Sequence, residues 1–534
     1  MKLIESINLN NIRGDITGGI TAAIVALPFA LAMGLASGAG AEAGLYGAII
    51  TGFFAAIFGG TPAQVSGPTG PMTIVMSLIV TKYLALYPDT GLALAFFTVF
   101  LAGMFQICFG LLKLGKYINL MPHAVISGFM TGIGVIIIVL QLPQILGFYE
   151  IKGSTLNIFS ELGNVGQLFS NFGAISLAIM TLIIIYLLPK KITKIVPSPL
   201  VALTFGTLIL LILPEYFASN SEPYSQMILG DIPTGLPSFQ LPVIELSIIS
   251  EVIISALTLA ILGSIDSLLT SLVADEITRT QHDSNKELIG QGIGNTLSGL
   301  FGGLPGAGAT MRTMANVKAG GYTPISGSLH AILLLIIVLG GGKFASHIPL
   351  AVLGAILVKV GTDIIDWNFL KNISKIPKVS VVMMTTVLLI TVFYNLMVAV
   401  AVGLVMASLV LLQRITELQL EGIVAIQSIE DASHLDETHQ ELIRKGKTLF
   451  YQLNGLMSFG SAKGLVKDFS IRSNYSNAIL DLSNVPTIDY TTSRGIAEIC
   501  KICKERSIEI KVIGTNDKVH KFLENIGVDN SIIE

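Results

Sequence analysis

The chain has 534 residues, 52% of them hydrophobic and 13% charged, whereas an average soluble domain carries about 25% charged residues; a soluble enzyme is excluded. The formal net charge of −3 leaves no excess of positive charge to neutralise a run of phosphates, the contribution that dominates nucleic-acid binding, so no nucleic-acid partner is expected. Three cysteines, Cys108, Cys500 and Cys503, make neither a disulfide framework nor a zinc cluster.

Charge is unevenly spread, with 31 of the 67 charged residues in the last 121 positions. That asymmetry divides the chain into a transmembrane part, residues 1–413, and a cytoplasmic part, residues 414–534. The first fifteen residues, MKLIESINLNNIRGD, lack the apolar core and cleavage site of a signal peptide and read as a cytoplasmic tail. Apolar runs then approach the length of about 20 residues that a spanning helix needs. They begin near Asp15, Ala41, Gly70, Gly91, Met121, Gly173 and Val196, and again near Leu246, Asn285, Ala309, Tyr322, Ile348, Lys378 and Asn395. With the N-terminus inside, fourteen spans put the even-numbered loops in the cytoplasm, where Lys and Arg accumulate. Those loops hold Lys113 and Lys116; Lys190, Lys191 and Lys194; Arg279 and Lys286; Lys318; and Lys371, Lys375 and Lys378. The odd loops, such as YPDTG and PEYFASNSEP, carry only Lys152 and Lys343. The expected fold is an all-α polytopic domain in the lipid bilayer of the cell (inner or plasma) membrane, with both termini cytoplasmic.

The third and tenth segments are interrupted by Gly and Pro, at Ser66-Gly67-Pro68-Thr69-Gly70-Pro71-Met72-Thr73 and at Gly302 through Thr313. Each is third in a set of seven. Seven is odd, so the two sets enter the membrane from opposite sides, as inverted repeats with half-helices at spans 3 and 10. Paired broken segments are the sequence pointer to a transport site. Each reads as an extended stretch running into a helix start, at Thr69 and Gly70 and at Ala309, Thr310 and Met311. Two helix N-termini meeting at the midplane offer free N–H groups and partial positive charge, which suits an anion. The plainer reading is that the glycines only let helices pack closely. The Gly-rich run lacks the GK[ST] ending of a nucleotide loop.

Charged residues inside a membrane are functional candidates by default. Asp266 lies well inside the eighth span, with Thr270 one turn further on the same face and Ser267 beside it. A carboxylate, a hydroxyl and the carbonyls of the Gly-rich segment form an oxygen-only set, suited to a hard cation such as sodium. A proton is the other coupling ion a buried carboxylate can carry, and pairing with Arg312 is the structural alternative. Arg312 either biases the site toward anions or faces the cytoplasm. His123, His330 and His347 lie near span ends and read as structural, and Asp275, Glu276 and Arg279 as a solvated cluster. No cofactor is expected.

Beyond about Leu420 the pattern changes. GIVAIQSI, TLFYQLNGLMSF, NAILDLSNV and IEIKVIG read as strands, and SAKGLVKDF, TTSRGIAEICKICKER and NDKVHKFLENIG as helices, the last closed by Gly527. Alternation of the two implies a small α/β domain. The Cys500-x-x-Cys503 pair sits within a helix rather than at its start, against a redox role.

These residues resemble the sulfate permease family of anion transporters, in which fourteen spans in two inverted repeats precede a cytoplasmic STAS domain. LIGQGIGNTLSGLFGGLPGAGATMRT resembles the family's stretch into span ten, with Gly308 to Thr313 matching the GSFSRS of many members. DLSNVPTIDYTTSRGI is similar to the STAS signature loop. ALPFALAMGLASGAGAEAGLYGA, GGTPAQVSGPTGPMT and GSIDSLLTSLVADEITRTQHDSNKELIGQG look most like the family's sodium-dependent bicarbonate transporters. That resemblance implies sodium on Asp266 and Thr270 with Gly308 and Thr310. It implies the anion near Thr69, Ala309, Thr310 and Met33, and Gly70 and Met311 belong to the same two helix starts. Pro28-Phe29-Ala30-Leu31-Ala32-Met33 departs from the PQG[ML]AY of sulfate-type members, which also carry glutamate where this chain has Asp266. Tyr490 stands where signalling STAS relatives carry a phosphorylated serine. The resulting expectation is sodium-coupled bicarbonate symport by alternating access. A proton-coupled sulfate or dicarboxylate symporter, or an exchanger, is the alternative, and a membrane scaffold for STAS partners is a third reading. Exposed sheet edges in the STAS-like domain need covering, so a homodimer held by that domain is expected.

Overall fold

The computed structural model describes residues 11–533 except 117–121, 150, 152–154, 165–170, 194–196, 218–223, 231–234, 236–237, 240–245, 395, 427–439, 442, 444–446 and 473–474. Expectations on Met121, Lys152, Lys194, Val196, Asn395, residues 218–223 of the PEYFASNSEP loop and residues 427–429 of the first strand lie outside the described residues. The chain divides into two units, residues 1–404 and 405–534.

In the first unit the main helices are α1 Ile12–Ala36, α2 Ala41–Phe58, α3 Gly70–Leu86, α4 Gly91–Leu111, α5 His123–Leu146, α6 Phe172–Leu187 and α7 Ser198–Ile212. They continue with α8 Ile249–Thr278, α9 Ser284–Leu300, α10 Thr310–Lys318, α11 Pro324–Ala345, α12 Leu350–Ile364 and α13 Lys378–Phe393, and α14 Leu396–Glu421 runs from the first unit into the second. Among the described residues, α1, α2, α4, α5, α8 and the Ala401–Glu421 part of α14 are long and apolar enough to cross a membrane. Large apolar side chains such as Ile183, Leu208, Ile336 and Leu389 stay exposed, as they must where the solvent is lipid. The protein is a multi-pass membrane protein.

Helices α1 and α2 pack on α11, α9 lies between α2 and α4, and α8 packs on α4; separately, α5 packs on α12 and α13, and α6 on α12 and α7. Small residues set the spacing. A Cβ on Gly103 of α4 would stand 2.6 Å from the Gly292 carbonyl of α9, and one on Gly292 would stand 2.7 Å from the Gly103 carbonyl. No other residue fits at either position without parting these helices.

Two short strands precede the broken-segment helices. β1 (Ser66–Gly67) pairs antiparallel with β2 (Ala307–Gly308), Ser66 opposite Gly308 and Gly67 opposite Ala307. Helix α3 starts three residues after β1, and α10 directly after Ala309.

The second unit holds a four-stranded sheet. β3 (Ile423–Ile426) runs antiparallel to β4 (Thr448–Asn454), and β4, β5 (Asn477–Asn484) and β6 (Glu509–Ile513) are parallel. Helices α15 Phe459–Ile471, α16 Tyr490–Glu505 and α17 Asp517–Asn525 cover it, since parallel neighbours need crossovers. Leu449, Tyr451, Leu453, Leu480 and Val512 of the strands bury against Phe469, Ile496, Ile499, Cys503 and Leu523 of the helices. Asp489 caps α16: its Oδ1 accepts from Thr492 N at 2.8 Å and its Oδ2 from Phe459 N at 2.8 Å, which ties the signature loop to the start of α15. Tyr490 is exposed. Gly527, just past α17, takes a positive φ of 88°, as a helix-terminating glycine does.

Candidate functional site

Backbone geometry brings the two interrupted segments together. Thr69 and Ala309 are the N-cap residues of α3 and α10, both in extended conformation, and neither helix has a side-chain cap. Their first-turn N–H groups are left without intrahelical partners. The crossing is held from several sides: Ala309 N donates to Val65 O at 2.9 Å, and Val65 N to Thr313 Oγ1 at 3.0 Å. Asn295 pairs both ways with Gly306, accepting from its N at 2.7 Å and donating to its O at 2.8 Å.

Beside the crossing runs α8. Thr270 Oγ1 donates to Gly308 O at 2.9 Å and shares a 2.8 Å hydrogen bond with Thr310 Oγ1. Gly308 N donates to Ser267 Oγ at 3.1 Å. One turn before Thr270, Asp266 is 7% exposed, and its Oδ2 is buried without a hydrogen-bond partner. A cavity of about 240 Å³ opens here; Asp266, Thr69, Gly70, Gly308, Ala309, Thr310 and Met311 line it, with Phe29 and Met33 of α1, Met130 of α5 and Val360, Asp363 and Ile364 of α12. Of the expected site residues only Thr270 is not on the cavity wall, and it is bonded to two residues that are.

Arg312 is 2% exposed and lines the same cavity, so it does not face the cytoplasm. Its Nη2 donates to Pro68 O, and Nη1 has no partner. Among the described residues no salt bridge joins it to Asp266, although the two buried charges on this wall attract one another. A Cβ on Gly67, at φ 149°, would stand 2.7 Å from Arg312 Nη1, which is why glycine occupies that strand.

His330 is fully buried, in the second turn of α11 and so near the start of that helix, with neither ring nitrogen bonded. His123 does lie at a helix start, stacked on Phe369. Asp275 bonds His282, Oδ2 to Nδ1 at 2.6 Å, while Glu276 and Arg279 stay exposed.

The support behind the site escaped sequence reasoning. Glu287 is buried and accepts four hydrogen bonds: from Gly60 N and Thr61 N at 2.9 Å, Gln64 Nε2 at 2.7 Å and Gln291 Nε2 at 2.8 Å. Gln291 also donates to Ser66 Oγ of β1 at 2.5 Å. Asp15, at the other end of the chain, accepts from Tyr322 N at 2.9 Å and from Thr323 N at 3.0 Å. The signal was present: Glu287, Gln291 and Asn295 recur at four-residue spacing, a polar stripe on one helix face.

Residues 12–387 match the family model described as the sulfate permease family, and residues 439–534 match the STAS domain. A bicarbonate transporter, BicA, of Synechocystis sp. is 44% identical over 99% of this chain and 93% of its own length. The solved transmembrane domain of a cyanobacterial bicarbonate transporter BicA is 50% identical, covering 74% of this chain and 99% of that one with a TM-score of 0.68. The murine solute carrier 26 member A9 anion transporter, in its inward-facing state, shares the fold across 99% of this chain and 89% of that one, with a TM-score of 0.82 at 19% identity.

Proposed function

The chain belongs to the sulfate permease family of anion transporters and is not an enzyme, and from that premise we propose that it carries bicarbonate into the cell together with sodium. The observation that carries the proposal is one cavity that joins two uncapped helix starts to a buried carboxylate with an unpartnered oxygen. The anion sits against the N-termini of α3 and α10, near Thr69, Gly70, Ala309, Thr310, Met311 and Met33, where N–H groups and helix dipoles favour negative charge. Sodium sits at Asp266 with Thr270, Gly308 O and Thr310, an all-oxygen set. Thr310 belongs to both sites, so each ion stabilises the other across a shared residue.

The nature of the wall argues for a monovalent substrate. Phe29, Met33, Met130, Val360 and Ile364 are apolar, and the cost of bringing an ion out of water rises with the square of its charge. Sulfate would incur about four times the desolvation cost of bicarbonate. Phe29 and Met33 stand where sulfate-type members carry Gln and Tyr. The name of the Synechocystis relative supports the same substrate.

Transport follows by alternating access, the fourteen spans forming two inverted repeats with half-helices at α3 and α10. The group of α1–α4 and α8–α11 rocks against that of α5–α7 and α12–α14. The protein resides in the inner or plasma membrane with both termini cytoplasmic, and dimerises through the STAS domain.

The test is uptake of radiolabelled bicarbonate and sulfate by proteoliposomes, with sodium and proton gradients imposed separately. Bicarbonate uptake that requires an inward sodium gradient is expected. Proton-driven uptake indifferent to sodium, or a preference for sulfate, would replace this reading with the proton-coupled one.

A further inference from the structure

The end of α12 carries a feature that neither ion site uses. The charged residues lining the cavity are Asp266, Arg312 and Asp363. Asp363 is the next-to-last residue of α12, where the macrodipole already concentrates negative charge, so a carboxylate there is electrostatically misplaced. Lys359, one turn earlier, bonds both oxygens of Asp363. Their side chains are 21% and 29% exposed. Lys359 Nζ also sits 5.5 Å from the centroid of the Tyr186 ring on α6. Tyr186 in turn shares a 2.7 Å hydrogen bond with Thr362 Oγ1, so the lysine is clamped between a carboxylate and an aromatic face.

An ordinary helix-stabilising pair does not account for this. Lysine preceding the acid by four residues is the weaker order for such a pair, and four-residue pairs of this kind contribute little to a helix. The charge count of the cavity does account for it. Asp266, Arg312 and Asp363 alone leave one net negative charge on the wall. Lys359 cancels it, and a sodium ion at Asp266 then makes the loaded cavity positive by one, the complement of a monovalent anion.

We propose that Lys359 and Asp363 form a charge-setting pair that determines the affinity and charge selectivity of the cavity for its anion. The proposal rests on an anion and a sodium ion sharing that cavity. Loss of Lys359 leaves a bare carboxylate that repels the anion and attracts the cation, and loss of Asp363 does the reverse.

The experiment measures KM for bicarbonate and half-saturating sodium in proteoliposomes for the full chain, Lys359→Gln, Asp363→Asn and the double variant. At low ionic strength Lys359→Gln is expected to raise KM about fivefold while lowering half-saturating sodium. Asp363→Asn should shift both constants the opposite way, and the double variant should recover most of the anion affinity lost in Lys359→Gln. Added choline chloride should shrink these differences. Melting of each variant in detergent separates affinity from folding. Constants that move in the same direction, or a double variant as impaired as Lys359→Gln, would overturn the proposal. If the wild-type chain takes up sulfate in place of bicarbonate, the substrate reading falls. The four-way comparison with sulfate then still tests the pair, with the KM shift expected to be about the square of the monovalent one.

Discussion

Replacing Asp266 by Asn removes a charge without removing volume. The wild-type carboxylate is 7% exposed and has an unpartnered Oδ2; Arg312 on the same cavity wall offsets part of its charge without a salt bridge, and a bound cation compensates the rest. A sodium ion about 3 Å from the charge centre gains about 5 kcal/mol at an effective dielectric of about 20, and breaking a buried charge pair costs about 3–5 kcal/mol. Sodium affinity should therefore fall by about 10² to 10⁴. Folding should suffer little, because Asn fits the same space and Arg312, which loses a nearby opposite charge on the cavity wall, keeps its bond to Pro68 O. A melting assay in detergent reads both effects. Wild-type protein at sodium about 100-fold above its dissociation constant gains about 2.7 kcal/mol relative to choline, and Asp266→Asn should show no sodium-dependent rise while melting in choline near the wild-type temperature. Uptake should lose its sodium dependence in parallel. A variant that keeps wild-type sodium stabilisation would refute the assignment of the cation to Asp266.

Other perturbations separate support from site. Glu287→Gln turns one acceptor of a four-donor cluster into a further donor, so stability should drop by about 2–4 kcal/mol with half-saturating sodium unchanged within about twofold; a large change in the sodium constant alone would show that Glu287 acts on the ion directly. Burial pushes the Cys500 thiol up to about 11 and the Cys503 thiol to about 12. With so little thiolate at pH 8, alkylation by iodoacetamide should be at least about 100-fold slower than for an unperturbed thiol and rise about tenfold per pH unit; fast labelling at pH 8 would revive a redox role for the pair. Truncation after Leu420 removes no residue assigned to either ion, so sodium-dependent uptake should persist while the dimer expected of the full chain becomes a monomer by light scattering. A truncation that stayed dimeric would put the interface in the membrane part.

Much of the frame was legible because it rests on local chemistry. Gly70 and Thr310 begin helices where Gly, Pro and Thr accumulate, and the strands of the second unit follow runs of β-branched and aromatic residues. Asp266 stood out because a carboxylate within an apolar run has few structural excuses. What stayed open in the sequence depended on depth. Arg312 follows the Gly-rich loop by only a few residues, and in a helix that spans the membrane such a position is close to water. Helix α10 has nine residues and its start lines the cavity, so nearness to the loop there means nearness to the site. His330, near the start of α11 as expected, is buried because it lies beside Gly52 of α2, where a Cβ would stand 3.2 Å from its ring. The polar stripe of Glu287, Gln291 and Asn295 and the Lys359–Asp363 pair are both visible as four-residue spacings. Their meaning depends on what each helix faces, β1 and its flanking loop for α9 and the cavity for the end of α12. Sequence period reports which residues share a face, and only packing reports what that face meets.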